Sequence, residues 1–222
     1  MQTTRKQFIA ILTFLGLIFL TSQYTQVLAN GHGKIIGKVK LATTKGHTID
    51  KPELKVSAKG GIQNVVITIE GVQGDFREDP IEIDQKNKAY VPRISVSMVG
   101  NELTFVNSDA ILHNVHGYEG TETLYNFAMP KFLKIKKVKL DRPGLMKVRC
   151  DVHQQMVAYV LVAESPYYAT TNQAGLFQIE AIPPRTYTIR AWHETLGSLE
   201  QKVTVVAGEK KAVIFEFPEN EK

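Results

Sequence analysis

"LMKVRCDVHQQMVAYVLVA" (residues 145–163) decides the fold of this chain. In its first part Met146, Val148 and Cys150 alternate with Lys147 and Arg149, which predicts a strand with Cys150 turned toward the core. "VAYVLVA" (157–163) is a second short run rich in β-branched and apolar residues. Between the two lies Cys150–Met156, with a histidine three residues after the cysteine and a methionine three after that. These side chains converge only if the segment curls back. A tight turn between adjacent strands does this at low entropic cost.

The same texture extends outward. "KIIGKVKLA" (34–42), "NVVITIEG" (64–71), "RISVSMV" (93–99) and "NELTFVN" (101–107) are short β runs bounded by turn residues. No stretch longer than a turn or two reads as helix. After residue 164 strands are expected near 175–180, 186–193, 199–206 and 211–217, with turns at Gly175, Pro183-Pro184, Gly197 and Gly208. The fold class is therefore all-β, with two sandwiches or barrels. About 50 residues is thin for an independent core. The C-terminal sandwich is expected to recruit strand 34–42, with 64–71 as a further candidate, and the metal-bearing module would then be an insertion within it.

The first 29 residues have the pattern of a secretory signal. Arg5 and Lys6 precede the apolar run "FIAILTFLGLIFL" (8–20), and "TSQYTQVLA" ends in Ala29. Cleavage is expected between Ala29 and Asn30, giving an exported, periplasmic or extracellular protein with no transmembrane segment in its mature chain. No cysteine follows the apolar run, which argues against a lipid anchor. Loss of Arg5 and Lys6 lowers the formal net charge from +5 to +3. No arginine-rich stripe accompanies it, so nucleic acid is set aside as a partner.

Cys150 is the only cysteine, so an intramolecular disulfide is excluded. A lone cysteine in an exported chain is a dimer link, a reactive thiol, a metal ligand or an inert buried thiol. Cys150, His153 and Met156 favour the metal, with His113 in "FVNSDAILHNVHG" as the fourth donor. Two imidazoles, a thiolate and a weak thioether form the donor set of a blue-copper electron-transfer site. The thiolate bonds copper strongly, imidazole suits both oxidation states, and the thioether tunes potential. A zinc or other metal site and an inert thiol are the competing readings.

"AYVPRISVSMVGNELTFVNSDAILHNV" followed by "PGLMKVRCDVHQQMVAYVLV" resembles the plastocyanin-like cupredoxins, and the Cys-x2-His-x2-Met loop has the length seen in amicyanin. The resemblance covers roughly residues 62–164. It implies a Greek-key β-sandwich holding one type 1 copper on His113, Cys150, His153 and Met156, with the Asn114 N–H directed at the thiolate sulfur. It also implies electron transfer rather than enzymatic catalysis, through a protein redox partner, with His153 nearest the surface. The C-terminal stretch "GLFQIEAIPPRTYTIRAWHETLG" resembles the carboxypeptidase regulatory-like (transthyretin-like) sandwich. The expected division is a signal at 1–29, an N-terminal strand segment at 30–61 shared with the C-terminal sandwich, a cupredoxin at 62–164 and the regulatory-like sandwich at 165–222. Fused cupredoxins of this kind often read His-Pro-Trp-Met; this chain carries Gln154 and Gln155 instead, and Arg185 stands where the second sandwich usually has glycine.

Two other functions share these features: a periplasmic copper carrier or buffer, and an envelope-associated sandwich protein with a degenerate copper site. His116 reads as a surface histidine on the face opposite His113. Trp192 and His193 lie on opposite faces of a strand, and one of them is expected to pack toward the copper end. The five lysines of "KFLKIKKVKL" (131–140) read as a solvated strand face, with docking of an acidic redox partner as the functional alternative. An N-terminal Asn30-Gly31-His32 would offer a square-planar nitrogen set to a second metal.

Overall fold

The computed structural model describes residues 31–42 and 53–218. The signal segment and cleavage site expected over residues 1–29, and Asn30, lie outside the described residues. The described residues form strands and no helix, so none is a helix long and apolar enough to cross a membrane. In chain order the strands are β1 (Gly33–Leu41), β2 (Val66–Ile69), β3 (Ile81–Lys86), β4 (Ala89–Val91), β5 (Ile94–Met98), β6 (Glu102–Asn107), β7 (His113–Glu119) and β8 (Glu122–Met129). There follow β9 (Ile135–Lys139), β10 (Gly144–Arg149), β11 (Val157–Ala163), β12 (Tyr168–Thr170), β13 (Leu176–Ile182), β14 (Thr186–His193), β15 (Gly197–Thr204) and β16 (Lys210–Phe217).

The strands make two sandwiches. A five-stranded sheet β5-β11-β10-β7-β8 faces a four-stranded sheet β4-β3-β6-β9 across one core. A three-stranded sheet β13-β1-β16 faces a four-stranded sheet β12-β2-β14-β15 across the other. Alternation decides which side chains enter each core. In β6, Leu103 and Phe105 are fully buried while Thr104 and Val106 are not. In β14, Tyr187, Ile189, Ala191 and His193 point inward. Phe105 anchors the larger sandwich, meeting Tyr90, Tyr125 and Phe127 edge-on at 6.4, 6.0 and 6.1 Å.

The division of the chain differs from contiguous 62–164 and 165–222 modules. Strand β2 pairs with β12 and β14, and Ile62, Val65, Ile67 and Ile69 lie in the smaller core. Strand β1 joins the same sandwich, antiparallel to β13 and parallel to β16. The larger sandwich thus leaves the smaller one after β2 and returns at β12. Because β2 and β12 are adjacent antiparallel strands, the two crossings lie close together, as a tolerated insertion requires. Gly175 shows how tightly the pieces meet. It adopts φ +75°, accepts the Val39 N–H at 2.8 Å, and leaves no room for a Cβ against the Val39 carbonyl.

The sandwiches touch through β14 and β11. Arg93 forms a two-pronged ion pair with Glu194, Nε to Oε1 and Nη2 to Oε2 at 2.7 Å each, and donates to the Val157 carbonyl at 3.3 Å. Trp192 packs on Tyr159 at 5.5 Å between ring centroids, while His193 is buried in the smaller sandwich. Of this pair, therefore, Trp192 is the one that faces the larger sandwich. The Glu194 side chain is only 6% exposed. Arg93→Met leaves that carboxylate unpaired and should cost about 2 kcal/mol, less than a fully buried pair because Arg93 is a third exposed. Urea unfolding followed by the fluorescence of Trp192, the single tryptophan, measures it. Adding Glu194→Leu should recover most of the loss.

Candidate metal centre

The β10–β11 connection builds half of the site. The pair ends at Arg149↔Val157, and the turn beyond it closes with Cys150 N–H to Met156 O at 3.3 Å and Met156 N–H to His153 O at 3.0 Å. This closure places Cys150 and Met156 on the inner side, 2% and 0% exposed, and leaves His153 half-buried at the rim. Gln154 and Gln155 are exposed beside it. The other half is the first residue of β7. His113 is 0% exposed, on the inward face that it shares with Val115.

The three donors His113, Cys150 and His153 bring their ligand atoms within 4.8 Å of one another. The two imidazoles lie 4.9 Å apart, centroid to centroid, and His153 Nδ1 is 3.7 Å from Cys150 Sγ. The backbone N–H of Asn114 points at Cys150 Sγ, at 3.4 Å. Met156 lies in the same core as Cys150. His113 Nε2 donates to Asp109 Oδ2 at 2.9 Å, and its Nδ1 is buried with no hydrogen-bond partner among the described residues. A buried lone pair without a donor is costly. A soft metal cation satisfies this nitrogen, the adjacent thiolate and the second imidazole together, so the residues present fit copper.

A frame of hydrogen bonds joins the two halves. The Asn114 side chain accepts from Asp151 N–H at 3.1 Å and donates to Asn126 Oδ1 at 2.6 Å. The buried Tyr90 hydroxyl donates to the carbonyls of Asn114 (2.8 Å) and Arg149 (3.2 Å), each one residue from a donor. Burial pushes the Tyr90 phenol far up, so it remains a donor. His116 lies on the opposite face of β7 from His113. It is engaged with Asp151 at 3.0 Å and Thr123 at 3.0 Å rather than free on the surface.

Electrostatics keep the site ready for a cation. Burial lowers the pKa of His153, His113 and Lys88 lower it further, and Asp109 opposes them. The ring is therefore neutral at pH 7 and its lone pair is available. Burial raises the Asp109 pKa, but N–H donation from Lys88 and Asn87 and the His113 ring outweigh it, so the carboxylate is ionised below the usual range. Because the His153 pKa is depressed in the fold, its contribution to stability is complete above its unfolded value near 6.5 and is lost as pH falls through the folded value. The metal-free protein should therefore be less stable at pH 5.5 than at pH 7.5, and the His153 ring should titrate below 6.5 by NMR.

Sequence reasoning singled out all four donor candidates but not Asp109, Tyr90 or the β3–β4 turn that surrounds them. An acidic residue four before His113 was the available signal for the first.

No protein-family model matches the chain, and no curated protein matches it. Among solved structures it is similar to a methionine-to-alanine mutant of amicyanin in its Cu(I) form, at 23% identity. It is also similar to a reduced tryptophan-to-tyrosine mutant at 24% and to an oxidized proline-to-glycine mutant at 23%. Each match covers 44% of this chain and 98% of the amicyanin chain, with a TM-score of 0.35.

Proposed function

We propose that this chain is an exported mononuclear type 1 copper protein that carries single electrons between redox partners. The observation that carries the reading is the convergence of His113, Cys150 and His153 around a buried, partnerless His113 Nδ1. His113, Cys150 and His153 would hold the metal, with Met156 as the weak fourth donor. Copper in such a donor set supplies one-electron chemistry. The chain's own contribution is to keep the donors nearly fixed. Cys150 is held by the Asn114 N–H and by turn closure, and His113 by Asp109. Buried His113, Cys150 and Met156 exclude water, while half-buried His153 offers an edge to a partner.

The surface near that edge suits a protein partner. Leu112 and Val152, next in the chain to His113 and His153, are 48% and 51% exposed, and Phe132 is 81% exposed. Lys134 donates to the Asn107 and Asp109 carbonyls, which ties its charge to the His113 loop. An acidic redox partner would meet an apolar patch with positive charge at its margin. We read the smaller sandwich as carboxypeptidase regulatory-like, on its sequence resemblance. Export rests on the pattern of residues 1–29.

The test is the visible and EPR spectrum of the copper-loaded protein. An intense thiolate-to-copper band with narrow hyperfine splitting supports the reading. A weak band with ordinary splitting, or a colourless protein in the presence of an oxidant, overturns it.

A further inference from the structure

Asp109 does more than meet one imidazole. Its Oδ1 accepts the Asn87 N–H at 2.8 Å, and its Oδ2 accepts the Lys88 N–H at 3.0 Å and the His113 Nε2–H at 2.9 Å. Asn87 and Lys88 form the two-residue turn between β3 and β4, where Lys86 pairs with Ala89. Both adopt left-handed backbone, φ 56° and 55°, which is unfavourable for lysine. One carboxylate therefore binds a strained turn on the four-stranded sheet and a buried histidine on the five-stranded sheet. The Asp109 backbone is held in turn, its N–H by the Gln85 carbonyl at 3.3 Å and its carbonyl by Lys134 Nζ at 3.3 Å.

We infer that Asp109 is the positioning residue of the metal centre: it fixes His113 in the Nε2–H tautomer with Nδ1 facing Cys150, locks the β3–β4 turn beside the site, and places a negative charge that favours Cu(II) over Cu(I). The last element rests on the copper reading; the first two do not. A histidine whose far nitrogen is held by a carboxylate has a set tautomer, a set ring orientation and a more basic near nitrogen. The anion lies on the Nε2 side of the ring, opposite the unpartnered Nδ1, and would stabilise the more highly charged ion held there.

Two variants separate charge from position. In Asp109→Asn the amide oxygen can still accept from His113 and Lys88, while the amide nitrogen replaces the oxygen that accepts from Asn87, so the His113 contact is kept and the charge is lost. The reduction potential should rise by the equivalent of about a tenfold change in the Cu(II)-to-Cu(I) affinity ratio, about 59 mV, with the type 1 EPR signature retained. In Asp109→Ala the acceptor is lost, and Cu(II) affinity should fall about 10- to 100-fold. Long-range ¹H–¹⁵N NMR of the metal-free protein reads the tautomer independently of copper. His113 should be Nε2–H in the wild-type chain and a mixture in Asp109→Ala, while Asp109→Glu should restore the wild-type form. An unchanged tautomer in Asp109→Ala overturns the positioning role, and an unchanged or lowered potential in Asp109→Asn overturns the electrostatic one. If the wild-type chain gives no type 1 spectrum, the copper reading fails, while the tautomer measurement still decides the role of Asp109.

Discussion

Cys150→Ser should abolish the intense visible band and the narrow hyperfine splitting of the copper-loaded protein, because both require sulfur bonded to copper. A thiol near pKa 8.5 is readily deprotonated by a bound metal. A serine hydroxyl is a much weaker acid and a harder donor, so on the proposed copper reading it would stay protonated and leave His113, His153 and Met156 as the remaining donors. The variant should bind copper weakly and give an ordinary, pale spectrum. Its fold should survive, since the introduced hydroxyl can still accept the Asn114 N–H that reaches Cys150 Sγ at 3.4 Å. Burying the hydroxyl at this 2%-exposed position should cost about 1–3 kcal/mol. Circular dichroism of the metal-free variant checks that the loss is local. A retained type 1 spectrum would remove Cys150 from the site.

Phe105→Ala should destabilise the larger sandwich by about 3–5 kcal/mol. Phe105 is 0% exposed and its ring meets three aromatic rings, so truncation leaves a void that flanking strands cannot close without breaking their ladders. Phe105→Leu should cost less, on the order of 1–2 kcal/mol. One ring packed on Phe105 is that of Tyr90, whose hydroxyl bonds the carbonyls next to His113 and Cys150. Loosening the core should therefore also speed copper loss. The smaller sandwich has its own core and should keep its hydrogen-exchange protection. Denaturant unfolding with residue-level exchange separates the two. Equal loss of protection in both sandwiches would show that they unfold as one unit.

The strands most legible in the sequence were those with one wet and one dry face. In β10 and the residue after it, Met146, Val148 and Cys150 alternate with charged neighbours, and the pattern alone turned the cysteine inward. Strands β7 and β8 were not anticipated because the outward-facing positions of β7 carry Asn114 and His116, and β8 lies at a sheet edge with only Met129 fully buried. His113 follows β6 along the chain, as the motif suggested, but it opens a strand of its own, β7. Strand β2 is apolar at three of its four positions, so its pattern pointed to burial but not to which core. Its partner β12 is about 100 residues away along the chain, and β14 about 120.

By itself the sequence determined the all-β class, the strand–turn–strand that carries Cys150, His153 and Met156, and the candidacy of His113. These follow from local periodicity, from the reach of a short turn and from the chemistry of the side chains. Only the tertiary structure decided which partners β1 and β2 take in the smaller sandwich, that Arg93 and Glu194 join the two bodies, and that Asp109 ties His113 to the β3–β4 turn. Each of these is a pairing between residues brought together by sheet packing. Spacing along the chain does not encode such pairings, because many distant partners would satisfy the same local pattern.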